Sequence, residues 1–180
     1  MILAVVGTKK PGCGVREFVF KILHGIHSKH PDLELVSGGC RGIDTYAALY
    51  ALENNIKITV FLPGVIQNNP YFRETQSVLK RLPKDWVIEQ PQYANANLFV
   101  NYKPFFERNL KIADFCTHGL GFPLDGDSSG TIFTIKHIEK YGKPTKVYWV
   151  MREENEKSQG QLWTKSSWKS QKLFPNAQPV

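Results

Sequence analysis

Cysteine is scarce: Cys13, Cys40 and Cys116 are the only three in 180 residues, and no two form a C-x-x-C unit. An odd number at wide spacing argues against a disulfide frame or a cysteine zinc site, and points to reduced thiols in a cytoplasmic setting. Apolar runs are short, none near the length of a membrane span, and the opening seven residues are too few for a signal sequence. No repeat of 20–50 residues is visible. Also missing are the G-x-S-x-G elbow, H-E-x-x-H and the G-x-x-x-x-G-K-[ST] phosphate loop. His24, His27, His30, His118 and His137 are scattered. No metal site is expected, and no catalytic residue can be named.

The composition is that of a globular chain, 42% hydrophobic and 22% charged, of a size for one domain. A formal net charge of +7 favours acidic partners, nucleotides or nucleic acid first.

The stretch with the most chemistry is Ser37-Gly38-Gly39-Cys40-Arg41-Gly42-Ile43-Asp44. The apolar run Leu33–Val36 enters it and a helical pattern from Thr45 to Leu52 leaves it. Glycines keep side chains off whatever lies above such a turn. A helix start supplies free N–H groups and a positive dipole end, suited to phosphate. Arg41 adds a planar cationic fork. Asp44 is either a capping carboxylate or an acceptor for a ligand hydroxyl. The alternative for the whole stretch is a tight turn between buried elements.

Around it, apolar runs at Ile2–Val6, Ile58–Leu62, Trp86–Ile88, Ala113–Leu120 and Pro144–Val150 read as strands. Helical spacing covers Val15–Ser28, Pro70–Leu82, Phe105–Ala113 and Thr131–Tyr141. This alternation predicts an α/β, Rossmann-like, doubly wound and mostly parallel sheet with helices on both faces. Ligands of such sheets lie beyond the strands' carboxyl ends. Residues 1–150 form the expected domain. Residues 151–180 form a tail in which Trp163, Trp168 and Phe174 stand among Lys165, Lys169 and Lys172, able to stack on bases or dock on protein.

Four loops are expected on one sheet edge: Gly7-Thr8-Lys9, Ser37 to Asp44, Pro63-Gly64, and Asp127-Ser128-Ser129-Gly130-Thr131 with Thr134 beyond it. The last offers hydroxyl and N–H donors at a helix start, as a cap or an anion site. Arg108, next to Asn109, faces the cleft or pairs with surface acids. Lys9, Lys10 and the Arg73-Glu74 pair are rim candidates. Asp44, Glu74, Asp125 and Asp127 are the carboxylates available for acid–base work. Cys40 stands at a helix start beside Arg41, with no base next to it in sequence.

These motifs resemble, in order, those of the SLOG superfamily, which unites DprA/Smf DNA-processing proteins with the "lonely guy" (LOG) enzymes. Residues 36–44 resemble the DprA "SGlArGiD" element and Phe106–Ala113 its "F-x-x-RN-R-x-IA" segment. Ser129–Thr134 resembles its "SG-S/T-L-x-T" turn, and Gly142-Lys143-Pro144 its "GKPV" strand entry. Lys111 stands where that family commonly has a second arginine. Thr134 stands at the place of the LOG glutamate that assists glycosidic cleavage. The resemblance implies a Rossmann-like domain binding a nucleotide or nucleotide-derived phosphate ligand, without a certain cofactor. Arg41 and Arg108 would neutralise charge, and a homodimer is implied. Its alternatives are a DprA-like single-stranded DNA binder, and a LOG-like nucleoside-monophosphate phosphoribohydrolase using Asp127 or Glu74 as acid.

Overall fold

Strand β1 (Ile2–Gly7) has its odd side chains in one apolar layer and its even ones in another. Leu3 and Val5 join the larger core, while Ala4 and Val6 join the smaller. This two-sided burial explains an apolar run without alternation. The remaining strands are β2 (Glu34–Ser37), β3 (Ile58–Phe61), β4 (Val87–Ile88), β5 (His118–Phe122) and β6 (Thr145–Val147). They pair in parallel in the order β4-β3-β2-β1-β5-β6. The computed structural model describes residues 1–67, 69–124 and 129–150, without the side chain of Ser129.

Helices α1 (Val15–His27) and α2 (Ile43–Glu53) bury Val15, Val19, Leu23, Ile43, Ala47 and Ala51 on the Leu3/Val5 face. The short α3 (Gln76–Leu79) packs beside α2. Helices α4 (Lys103–Phe115) and α5 (Ser129–Lys140) bury Ile112, Ala113, Ile135 and Ile138 on the Ala4/Val6 face. The connections run outward from β1 on both sides, so the crevice beyond β1 and β5 is the switch point of the sheet.

The α/β, doubly wound reading holds, with three local differences. Residues 70–82 form no single helix: a 3-10 turn at Pro70–Phe72 and α3 are separated by Arg73, Glu74 and Thr75. Asn69 Oδ1 accepts from Tyr71 N at 3.1 Å, and both Phe72 and Leu79 are buried in the large core. Burying those two anchors takes precedence over helical continuity. Next, α4 continues to Phe115, whose ring meets Phe61 edge-on at 5.6 Å, so β5 starts only at His118. Finally, β6 ends at Val147, and Val150 returns to the sheet through one bridge to Leu124.

Candidate functional site

The glycine turn after β2 needs its glycines for two different reasons. Gly39 and Gly42 have φ of 67° and 79°, which side chains resist. Gly38 is needed for space, because a β-carbon there would fall within the Arg108 guanidinium. Gly42 also lies close against the Thr8 and Lys9 backbone, and Ile43 N donates to Thr8 O at 3.2 Å. The first loop and the glycine turn therefore form one connected rim. Two donors expected to face an anion are already used, since Cys40 N donates to Asp44 Oδ2 at 3.1 Å.

Asp44 is 5% exposed and lies beneath the turn, 3.3 Å from Arg108 Nη1. It neither caps the helix nor faces outward; Gly42 holds the cap position. Burial pushes the Asp44 carboxyl up from its ordinary value, with Arg108 and the Cys40 N–H opposing. Burial works against charge on Arg108, but Cys40 and Asp44 outweigh it and hold the guanidinium charged. The pair joins α4 to the turn, and removing one partner from such a pair costs about 3–5 kcal/mol.

Arg108 also donates from Nη2 to Cys40 Sγ at 3.4 Å, and Cys40 Sγ lies 3.2 Å from Tyr71 Oη. Burial pushes the Tyr71 hydroxyl far up, so it stays protonated. The Tyr71 ring leads outward: Phe99, 59% exposed, meets it at 5.8 Å, and Phe105 at 5.2 Å. Lys9 Nζ lies 5.2 Å from the Tyr71 centroid and 4.7 Å from that of Phe105. Arg41 is exposed and bound to Glu74 at 3.0 and 3.2 Å.

The other expected site residues are divided. Ser37 is fully buried and donates to Val5 O at 2.7 Å, tying β2 to β1. Pro63 and Gly64 are buried, and Gly64 lies under Tyr93 and Leu98. Asn109 Nδ2 donates to Gly130 O at 3.4 Å, joining α4 to the start of α5. Thr131 is buried. Thr134, 1% exposed, returns its hydroxyl to Gly130 O at 3.0 Å. Asp125, Asp127, Ser128, the Ser129 side chain and the tail tryptophans lie outside the described residues. Gly7, Thr8, Lys9, Arg41 and Gly42 thus come together at the rim, whereas Asp44 and Arg108 lie beneath it.

Tyr71, Phe99 and Phe105 were no part of the expected site. The signal available in sequence was their aromatic character near the loops, but nothing in their spacing shows that three segments meet. Among the described residues, no group of three or more His, Cys, Asp or Glu is placed for a metal, and no helix is long and apolar enough to cross a membrane.

Comparison with curated proteins gives no match. The fold resembles DNA processing protein A (DprA) from Streptococcus pneumoniae, with a TM-score of 0.60 at 20% identity over 81% of this chain. The match spans 49% of that protein, so this chain corresponds to about half of it. It also resembles a structural-genomics structure titled TM1055, with a TM-score of 0.52 at 15% identity, over 80% of this chain and 71% of that one. Identities this low establish the fold alone. The family rests on the sequence: the model of DNA recombination-mediator protein A matches residues 1–168. The ordered motifs, the glycine turn clasped by Arg108 and the sequence match agree, and the chain belongs to the DNA recombination-mediator protein A family.

Proposed function

We propose that the carboxyl edge of the sheet binds single-stranded DNA, as part of DNA processing in the cytoplasm. The observation carrying this reading is the rim where the exposed Lys9 lies over the half-buried Tyr71 ring and the buried Phe105 ring, and the exposed Phe99 extends the aromatic surface. Single strands are held by cations along the phosphates and by aromatic faces under the bases. A net charge of +7 and the DNA recombination-mediator family support the same partner. Two copies paired through the exposed Tyr102, at the start of α4, and Phe106 and Leu110 on it would offer two such rims. The basic aromatic tail, 151–180, would extend the track.

The second reading is a single nucleotide with its phosphate at the glycine turn, favoured by the left-handed Gly39 and Gly42. It ranks behind because Cys40 N and Ile43 N already have protein acceptors. Thr134, buried and bonded to its own helix, also leaves no acid at the hydrolase position.

Anisotropy of labelled oligo-dT, titrated at several salt concentrations, separates the two. Binding that weakens along a log–log line as salt rises supports the DNA reading. A salt-tolerant melting shift with one mononucleotide, and no oligo-dT binding, would replace it with the second.

A further inference from the structure

The guanidinium of Arg108 is 93% buried at its side chain, yet only part of its donor set is used. Nη1 holds Asp44 and Nη2 touches Cys40 Sγ, while Nε has no hydrogen-bond partner among the described residues. Nε–H and the outer Nη2–H form one edge of a guanidinium, the edge that grips two oxygens of an oxyanion side-on. Here the Nη2 end of that edge meets a sulfur, and the Nε donor is unpaired among the described residues. From the other side, the Tyr71 hydroxyl lies 3.2 Å from the same sulfur.

We propose that Cys40 is a peroxide-reactive thiol, oxidised to the sulfenic acid in a site formed by Arg108, Asp44 and Tyr71. The arrangement has the parts such a reaction uses. A carboxylate fixes a guanidinium; the guanidinium touches the sulfur with one donor and keeps a neighbouring donor for the incoming oxygen. In the reaction, Cys40 sulfur attacks the near oxygen of a hydroperoxide, and an S–O bond forms as the O–O bond breaks. The sulfur loses two electrons and the peroxide gains them. The far oxygen departs as water or alcohol after taking the thiol's proton, so thiol plus hydroperoxide gives sulfenic acid plus water or alcohol. The new oxygen comes within reach of Arg108 Nε and the Tyr71 hydroxyl.

Access fits a small oxidant. Cys40 is 3% exposed, but the Tyr71 side chain on its sulfur is only partly buried and meets the exposed Lys9 and Phe99. Displacing that ring opens the sulfur at the rim. Cys13, exposed, and Cys116, buried against Ala113 O at 3.6 Å, provide internal references without such surroundings. The inference stands whether or not the rim binds DNA.

The test exposes the full reduced chain to sub-millimolar hydrogen peroxide with dimedone present, and follows adduct formation at each cysteine by peptide mass spectrometry. Cys40 is expected to label roughly tenfold faster than Cys13, the value of one charge-assisted hydrogen bond in the transition state. Tyr71→Phe, which keeps the ring, is expected to slow Cys40 several-fold with an unchanged melting temperature and unchanged Cys13 labelling. Arg108→Lys is the direct variant but risks the fold; Tyr71→Phe keeps the proposal falsifiable without it. Labelling confined to Cys13, or Cys40 labelling no faster than Cys116, would overturn it.

Discussion

Gly38 and Arg108 compete for one volume: any side chain at residue 38 would occupy the space of the guanidinium that clasps the turn. Gly38 is not among the left-handed glycines, so the conflict is steric alone. Gly38→Ala must displace Arg108 from Asp44 or shift the turn. Overpacking costs about 1–3 kcal/mol, and a broken buried pair raises this toward about 3–5. Urea denaturation is expected to show a loss of roughly 3 kcal/mol. An alanine at 38 with unchanged stability would mean that the guanidinium lies elsewhere.

Asp44 has two duties that chemistry can separate. It accepts from Cys40 N and balances Arg108. Asp44→Asn keeps an acceptor and loses the charge, whereas Asp44→Ala loses both. Asp44→Ala is expected to cost about 3–5 kcal/mol and Asp44→Asn less, in chemical denaturation at neutral pH. Equal losses would show that charge balance alone matters.

On the rim, cation and ring should fail differently. Lys9→Ala is expected to weaken oligo-dT binding and to flatten its salt slope by roughly 0.7, the single-strand value for one phosphate contact. Phe99→Ala should weaken binding by about 1–3 kcal/mol without changing the slope. Glu74→Gln releases Arg41 from its exposed partner and should tighten binding at low salt. Anisotropy titrations at three salt concentrations read all three.

Acid sensitivity has an identifiable source at the start of β5. Burial holds the His118 imidazole below its ordinary value, with His30 and the Met1 amine adding in the same direction. The folded state therefore binds fewer protons there than the unfolded chain. The associated stability is fully present above the unfolded value, near 6.5, and is lost as pH falls through the lower folded value. Melting temperature should decline across that window, and His118→Asn should flatten the decline. A flat parent profile would exclude this residue as the cause.

What could be read from the sequence followed what is local. Strand β1 announces itself by Leu3 to Val6 because both faces are buried, and the glycine turn because Gly39 and Gly42 are forced by φ. Ile43 and its helix follow directly. What could not be read depends on packing across distance. Arg108 sits 64 residues from Asp44, and its sequence neighbours Glu107 and Asn109 give no sign of that partner. Glu107 instead accepts from Tyr93 at 2.7 Å, so of two adjacent charged residues one points inward and one outward. The aromatic rim was hidden for the same reason. Tyr71, Phe99 and Phe105 belong to three segments that only the folded sheet edge brings together.

The place of β1 has a consequence for synthesis. Its partner β2 is synthesised soon after it, but its other edge waits for β5, whose His118 stands opposite Leu3. At ribosomal speeds of roughly 5–20 residues per second, those intervening residues take on the order of ten seconds to appear. For that time the most apolar strand of the sheet offers an open hydrogen-bonding edge. Nascent chains halted before β5 should be the ones that recruit a chaperone, or each other.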